Sequence, residues 1–190
     1  MQYIYIHGFG TTGAGSTKFK KIKAHAASKK AKAIALEWHA LQPDIVKELL
    51  QQIDSQVDWT QPVCFIGSST GGNFTWQLLE RLNLKKLPMP FVLINPLVNI
   101  TQRKMDNPDF PVALAQQLKD PSDELSGGLV LLGQQDELLD PAYSARILGQ
   151  RNHIVTGTDW NHTLSNLDTD SFLNYIDLAA ANRVPGQSHN

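Results

Sequence analysis

Short apolar segments alternate with longer amphipathic segments along the chain. The apolar segments are four to six residues long and predict strands at 2–6, 32–37, 63–67, 90–94, 128–133 and 153–156. The amphipathic segments carry apolar residues three or four positions apart and predict helices at 16–30, 43–56, 71–83, 108–119, 140–149 and 169–181. Pro43-Asp44 and Asp140-Pro141 mark two of the helix starts, because proline and aspartate favour the first positions of a helix.

The hydrophobic pattern within the strands predicts the fold class. Several strands are apolar at every position, which is typical of a parallel sheet covered on both faces. Alternation with helices therefore predicts an α/β fold with a mostly parallel sheet of about six strands. The length of 190 residues predicts a single domain over 1–190. Residues 95–127, in which Pro108, Pro111 and Pro121 flank one predicted helix, are expected to form at most a small cap, and 181–190 a flexible tail.

Composition narrows the cellular setting. Hydrophobic residues make up 42% of the chain and charged residues 18%, as in an ordinary globular protein. The apolar runs are too short to cross a membrane, and Met1 leads directly into a strand without a basic signal region, so we expect a cytoplasmic protein with no membrane partner. Cys64 is the only cysteine and is expected to be a core residue.

Charge is unevenly distributed along the chain. The net charge is −1, but residues 1–36 carry +7 and the remainder therefore −8. The seven lysines are Lys18, Lys20, Lys21, Lys23, Lys29, Lys30 and Lys32. They predict the solvated face of a helix, because Phe19, Ile22 and Ala26 form one apolar stripe between them.

The same lysines allow a second interpretation. They would form a basic rim that attracts an anionic substrate, such as a thioester with a coenzyme A leaving group. Nucleic acid is not an expected partner, because aromatic residues are not interleaved with the lysines and the pI is near 6.6.

Residues 63–72, Val-Cys-Phe-Ile-Gly-Ser-Ser-Thr-Gly-Gly, carry the main chemical signal. They contain a G-x-S-x-G pattern between a predicted strand and a predicted helix, which is the setting of a nucleophile elbow. The turn is so tight that Gly67 and Gly71 are needed on either side of the serine. This spacing selects Ser69 as the nucleophile over Ser68.

A serine nucleophile needs a base and an acid that orients the base. In this architecture both follow the serine, each after a later strand. Asp136 lies three residues beyond the fifth predicted strand and is the favoured acid; Asp140 is second because it is expected to cap the next helix, and Glu137 is third. His162 lies in a polar turn before the last helix and is the predicted base.

The remaining histidines fit this order less well. His25 and His39 precede the serine, His153 lies in a strand, and His189 is in the tail. His7 is expected to support its own loop by hydrogen bonds. That loop, His7-Gly8-Phe9, would supply the Phe9 N–H to an oxyanion hole together with the Thr70 N–H.

A second glycine pattern supports a different function. Gly8, Gly10 and Gly13 form a G-x-G-x-x-G motif after a strand, and Glu37 ends the next strand where an acid would bind a ribose. The alternative is therefore an NAD(P)-binding oxidoreductase. A P-loop at 10–17 is disfavoured because Ser16 takes the place of the required lysine. A dinucleotide site also leaves the serine elbow unexplained. The third interpretation is a non-catalytic binding protein that has the fold of the serine enzymes described above without their activity.

Several motifs together resemble one family. They are Tyr3-Ile4-Tyr5-Ile6-His7-Gly8-Phe9, Gly67-Ser68-Ser69-Thr70-Gly71-Gly72, Asn95-Pro96, Asp136-Glu137-Leu138-Leu139-Asp140 and Asn161-His162. In this order the chain resembles the small bacterial YqiA-like esterases of the α/β-hydrolase superfamily.

The resemblance implies an α/β-hydrolase fold and a serine esterase or thioesterase. It assigns the triad roles to Ser69, Asp136 and His162. The substrate would be a small-molecule ester or thioester, with no cofactor and no metal. Thr70 stands where such esterases often carry leucine, and we expect this difference to alter the acyl pocket without affecting the backbone N–H.

Overall fold

The computed structural model describes residues 1–82, 90–104, 110–122 and 125–181. Six strands form one sheet in which every pair is parallel, in the order β2-β1-β3-β4-β5-β6. The strands are β1 (Gln2–Ile6), β2 (Lys32–Leu36), β3 (Val63–Ser68), β4 (Phe91–Ile94), β5 (Leu129–Gly133) and β6 (His153–Gly157). All six predicted strands are confirmed, with bounds that differ by one residue at most.

The helices are α1 (Thr17–Ser28), α2 (Ile45–Gln56), α3 (Thr70–Arg81), α4 (Val112–Ala115), α5 (Pro141–Leu148) and α6 (Thr169–Ala180). A short 3-10 turn at Ile100–Gln102 was not expected from the sequence. Asp140 caps α5 as predicted, with its carboxylate accepting from the Ala142 N–H at 2.9 Å. No described helix has the length and apolar character needed to span a bilayer.

Burial follows the position of each strand in the sheet. The four central strands are buried at every position, whereas the edge strands β2 and β6 are partly exposed. Alternate residues of β1 point to opposite faces, so that Ile4 and Ile6 join one core and Tyr3 and Tyr5 the other. The sheet is thus covered on both sides, which explains the continuous apolar runs.

Two hydrophobic cores flank the sheet. The first lies under α2, α3 and α5, and the second under α1 and α6. On α1 the buried residues are Phe19, Ile22 and Ala26, which confirms the predicted stripe. Cys64 is fully buried in the second core, as predicted, and burial raises the pKa of its thiol.

The predicted helix at 108–119 is wrong over most of its length. Residues 105–109 lie outside the described ranges, and α4 has only four residues. Side chains of α3 bind the backbone that follows α4. The Trp76 indole N–H donates to the Lys119 carbonyl at 3.1 Å, and the Gln77 amide donates to the Gln117 carbonyl at 2.9 Å. These tertiary bonds replace continued helix. Among the described residues of 95–127, Ile100–Gln102 and Val112–Ala115 are helical, and the small cap remains a prediction. Residues 182–190 of the predicted tail lie outside the described ranges.

Asn73 of α3 makes most of the hydrogen bonds that hold the neighbouring segments against this helix. Its side-chain amide is fully buried and donates to the carbonyls of Leu97, Val98 and Lys119 at 2.9, 3.2 and 3.1 Å. Its oxygen accepts from the Lys119 N–H at 3.1 Å and from Gln77 at 2.8 Å. One side chain therefore satisfies polar groups of two segments that pack beside α3 and of α3 itself.

We expect Asn73→Ala to lower the free energy of unfolding by about 3 kcal/mol, because it leaves several buried backbone groups without a partner. Urea denaturation measures the change. Gln51→Ala on the exposed face of α2 is the control and is expected to change stability by less than about 0.5 kcal/mol. Equal effects of the two substitutions would contradict the role given to Asn73.

Candidate active site

Ser69 occupies a strained turn between β3 and α3. Its backbone has φ 54° and ψ −123°, a conformation that costs a non-glycine residue about 1–3 kcal/mol. Three hydrogen bonds hold the turn: the Ser69 N–H donates to Ile94 O at 2.9 Å, and Ser69 O accepts from Gly72 and Leu97 at 2.9 and 3.0 Å. The turn is therefore fixed by neighbours on both β4 and α3.

The glycines around the serine are required by close contacts. A Cβ at Gly67 would collide with the Thr75 hydroxyl and the Gly71 carbonyl, and one at Gly71 would collide with the carbonyls of Ile6 and His7. Gly8 lies directly against Ser69, since a Cβ at Gly8 would be 3.1 Å from the Ser69 Cβ. The end of β1, its following loop and the start of α3 thus meet at the serine.

His162 and Asp136 form a hydrogen-bonded pair at the same edge of the sheet. His162 Nδ1 lies 2.8 Å from Asp136 Oδ2, and the carboxylate is 98% buried. The other carboxylate oxygen accepts from the N–H groups of Leu138 and Leu139, each at 2.9 Å. The Asp136 carboxylate is therefore held by its own loop through one oxygen, and its other oxygen bonds the His162 imidazole.

The two weaker candidates for the acid have other partners. Asp140 caps α5, and the Glu137 carboxylate accepts from the His162 backbone N–H at 3.1 Å. Of the three carboxylates, only that of Asp136 bonds the His162 ring.

Ser69 and His162 line the same cavity, which has a volume of about 520 Å³. Ser69, His162, Gly8 and Phe9 are among its lining residues. No hydrogen bond between the Ser69 hydroxyl and His162 is formed within the described ranges. Catalytic hydrogen bonds are often long in ligand-free enzymes and tighten when substrate binds.

The two predicted oxyanion donors differ in their surroundings. Phe9 is 37% exposed, borders the cavity, and its ring meets Phe110 edge to face at 5.3 Å. Thr70 is the first residue of α3 and is 99% buried. It is not among the described residues that line the cavity. The expectation that this side chain alters the acyl pocket is therefore not supported.

His7 supports the loop that carries Phe9. It is buried, with Nδ1 2.8 Å from Gly8 O, Nε2 accepting weakly from the Trp38 N–H at 3.4 Å, and its ring stacked on the indole at 5.0 Å. These contacts agree with the structural role expected for His7. Burial is the main influence on its pKa and lowers it, although the nearby Glu37 carboxylate opposes this shift.

Glu37 holds the glycine-rich loop. Its two carboxylate oxygens accept from the N–H groups of Gly13 and Ala14, both at 2.8 Å. A Cβ at Gly13 would lie 2.8 Å from the Ala35 Cβ. Gly13 thus allows the loop to pack against β2, and the Glu37 carboxylate is already bonded to that loop.

Asn95 connects three elements of the site and was not assigned this role from the sequence. It is buried with φ 40°, follows β4, and accepts from the Gly133 N–H at 2.8 Å. Its amide donates to the carbonyls of Asn161 and His162 at 3.1 and 2.9 Å. The position after a buried strand was a usable signal, but the partner carbonyls lie more than sixty residues away.

Only part of the lysine-rich segment reaches the cavity. Lys18 is partly buried and lines it, together with Arg103 from the segment after β4. Lys21 borders a neighbouring pocket instead. Arg103 was not singled out from the sequence, because no local pattern distinguishes it. Among the described residues, no group of three or more His, Cys, Asp or Glu side chains is arranged to hold a metal ion.

The buried neutral His7 predicts a pH effect on stability. The pKa of His7 is lower in the folded chain than in the unfolded chain, so below about pH 6.5 the unfolded state takes up a proton that the folded state does not. We expect His7→Gln to reduce the loss of stability between about pH 7.5 and 5.5, by up to about 1.4 kcal/mol per pH unit. Urea unfolding over this range measures it; the exposed His39→Gln is the control, and an unchanged slope in His7→Gln contradicts the prediction.

Asn95→Asp tests the connection to the histidine loop. The substituted carboxylate would face two carbonyl oxygens, so we expect a loss of about 2 kcal/mol of stability and faster exchange of the His162 Nδ1 proton. Urea unfolding and proton NMR measure these effects. Asn166→Asp is the matched control, because Asn166 is exposed and also donates to a backbone carbonyl. If both variants behave alike, Asn95 does not position His162.

Known structures share this architecture. The Bacillus subtilis ydeN gene product has a TM-score of 0.66 at 12% identity, over 95% of this chain and 97% of that one. An esterase, EaEST, from Exiguobacterium antarcticum gives 0.64 at 12%, over 93% and 92%. Mouse alpha/beta hydrolase domain-containing protein 10 gives 0.65 at 13%, over 93% and 89%. At these identities the likeness shows the fold alone, and the predicted α/β-hydrolase fold is confirmed.

Sequence comparison identifies the family. No curated protein matches the chain significantly. A family model does match, over residues 2–177, and it includes nearly every element described above. The chain therefore belongs to the uncharacterised protein family UPF0227, the YqiA-like family of the α/β-hydrolase superfamily.

Proposed function

We propose that the protein is a serine hydrolase that cleaves carboxylic esters or thioesters through an acyl-enzyme. The observation that carries the proposal is the buried Asp136 carboxylate bonded at 2.8 Å to His162, which lines the same cavity as Ser69 on its strained turn. A nucleophile, a base and an acid that orients the base are the parts that acyl transfer requires.

The first half of the reaction forms the acyl-enzyme. His162 Nε2 takes the proton of the Ser69 hydroxyl as the oxygen attacks the substrate carbonyl. The N–H groups of Phe9 and Thr70 are the proposed donors to the negative oxygen of the tetrahedral intermediate. His162 then gives its proton to the leaving alcohol or thiol.

The second half releases the acid. His162 removes a proton from water, the hydroxide attacks the acyl carbon, and Ser69 regains its proton as the ester bond to the enzyme breaks. Asp136 stays ionised throughout. Its bond to Nδ1 keeps that proton in place, so that Nε2 is free to act as the base.

The similar structures support the reaction class. The Exiguobacterium esterase has this fold with a TM-score of 0.64, and Est1E from Butyrivibrio proteoclasticus has a TM-score of 0.63 at 16% identity. In a shared fold, the site decides the function. The proposal therefore depends on the geometry at Ser69 and His162, and the relatives add only that the fold accommodates ester hydrolysis.

Glu37 disfavours the dinucleotide alternative. In such enzymes the N–H groups of the glycine-rich loop bind the pyrophosphate. Here the Gly13 and Ala14 N–H groups already bond the Glu37 carboxylate, whose charge would repel a phosphate. We expect neither NAD nor NADP to raise the melting temperature.

Ser69→Ala tests the proposal. We expect a fluorophosphonate probe to label the wild-type chain on Ser69, as located by peptide mass spectrometry. We expect Ser69→Ala to lose labelling and to lower kcat/KM for p-nitrophenyl esters by at least about a thousandfold. His162→Gln is expected to slow labelling strongly, because the hydroxyl then has no base.

Ser68→Ala is the matched control for labelling. Ser68 is the neighbouring serine and lies at the end of β3 outside the strained turn. It is expected to retain the label. Labelling that persists in Ser69→Ala, or a correctly folded wild-type chain that takes no label and hydrolyses no ester, would overturn the proposal and favour a non-catalytic binding protein.

A further inference from the structure

The charges that line the active-site cavity all have one sign. Lys18 and Arg103 border the cavity together with Ser69. No aspartate or glutamate is among the described residues of its lining. The chain as a whole has a net charge of −1, so this arrangement differs from the average of the protein.

Lys18 is partly buried without a counterion. It is the second residue of α1, and no described residue accepts a hydrogen bond from its ammonium group or forms an ion pair within 4.0 Å. A cation withdrawn from water without a partner costs free energy that a bound anion would recover. Lys29, on the same helix, does form an ion pair, with Asp177. Lys18 therefore faces the cavity as a cation with no ionic partner among the described residues.

Arg103 is fixed on the other segment of the cavity. Its backbone forms an antiparallel bridge with Leu139, and its guanidinium lies over the Phe110 ring, 4.6 Å from the centroid. Stacking on an aromatic ring orients the guanidinium but leaves its N–H groups at the edge of the plane available to an acceptor. A planar, oriented guanidinium is well suited to a carboxylate or phosphate.

We propose that the substrate of this site carries an oxyanion group, a carboxylate or a phosphate, in addition to the scissile ester, and that Lys18 and Arg103 bind it. This inference rests on the proposed hydrolase function and narrows its substrate class. Of the seven lysines in the lysine-rich segment, only Lys18 borders the cavity, so the inference gives anion binding to Lys18 and not to the other six.

The protonation of Lys18 supplies a distinctive readout. Burial, and secondarily the charge of Lys21, lower the pKa of Lys18 to about 8, while Asp136 opposes the shift. The other titratable or charged groups described at the cavity are Tyr5, His162 and Arg103, and burial raises the pKa of the Tyr5 hydroxyl further above its ordinary value. Because Lys18 is charged only below its pKa, preference for an anionic substrate should decline as the pH rises through about 8.

Matched substrates measure the preference. One pair is the p-nitrophenyl monoester of adipic acid against p-nitrophenyl hexanoate, which places the anion on the acyl group. The second pair is hexanoyl phosphopantetheine against hexanoyl pantetheine, which places it on the leaving group. We expect the wild-type chain at low salt to prefer the anionic member of one pair by about tenfold in kcat/KM, and the pair that responds identifies the source of the anion.

Variants of the two cations test the assignment. Lys18→Met keeps the aliphatic stem and is expected to reduce the preference ratio by about tenfold, and Arg103→Met by a similar factor. Lys18→Arg is expected to keep the ratio and to hold it constant above about pH 8, because arginine stays protonated. Using a ratio of two substrates removes the common contribution of His162. Lys20→Met is the control: it removes the same charge from the exposed face of α1 and is expected to leave the ratio unchanged.

A binding measurement makes the test independent of turnover. In Ser69→Ala, calorimetry compares adipic acid monoamide with hexanamide, and phosphopantetheine with pantetheine. We expect tighter binding of one charged ligand, lost in the Ser69→Ala, Lys18→Met double variant. No charge preference in either measurement, or a preference that Lys18→Met and Arg103→Met leave intact, overturns the inference. If neutral esters are still hydrolysed, the proposed function survives that result. Charge-selective binding with no labelling of Ser69 overturns the proposed function and retains the anion site.

Discussion

The close approach of α3 to the end of β1 is the constraint on which the candidate site depends. It places Gly71 against the Ile6 and His7 carbonyls and Gly8 against Ser69, with no space for a Cβ at Gly67 or Gly71. The positive φ of Ser69 is the backbone consequence, because only a sharp reversal connects a buried strand to a helix packed this closely. The conformational cost is offset by bonds from the turn to β4 and α3.

The parallel sheet explains how distant residues meet at this turn. Parallel strands have their carboxyl ends at one edge, and the loops after β1, β3, β4, β5 and β6 supply Phe9, Ser69, Asn95, Asp136 and His162 respectively. Adjacent order in the sheet then decides which loops can touch. Because β4 lies between β3 and β5, Asn95 bonds the Gly133 N–H at the end of β5 and the carbonyls of the histidine loop. The His162 loop and the Ser69 turn are thus both hydrogen-bonded to residues at the end of β4.

Strands and most helices were predictable because their signals are local. Continuous apolar runs, the stripe on α1 and the Asp140-Pro141 start are all read within a few residues. The predicted helix at 108–119 failed because its backbone is held by Asn73, Trp76 and Gln77 of a helix some forty residues earlier. Glu37 was misleading for the same reason: its position after β2 fits a ribose site, but a bond to Gly13 decides its use. Chain order pointed to Ser69, Asp136 and His162. The position of Asn95 after a buried strand was visible in the sequence, but its partner carbonyls were not, and no local pattern singled out Arg103.

Groups of opposite charge lie close together at the candidate site: the Lys18 and Arg103 cations line the cavity, and the Asp136 carboxylate bonds His162. The Asp136 carboxylate is buried and stabilised by backbone N–H groups, so its charge is directed to His162 and it does not line the cavity. The Asp136 charge raises the pKa of Lys18, but burial and the charge of Lys21 lower it by more. The charged side chains described at the cavity lining are thus those of Lys18 and Arg103, whereas the Asp136 carboxylate bonds the His162 imidazole and is not part of the lining. This separation would let a negatively charged ligand approach Ser69 without meeting the Asp136 carboxylate.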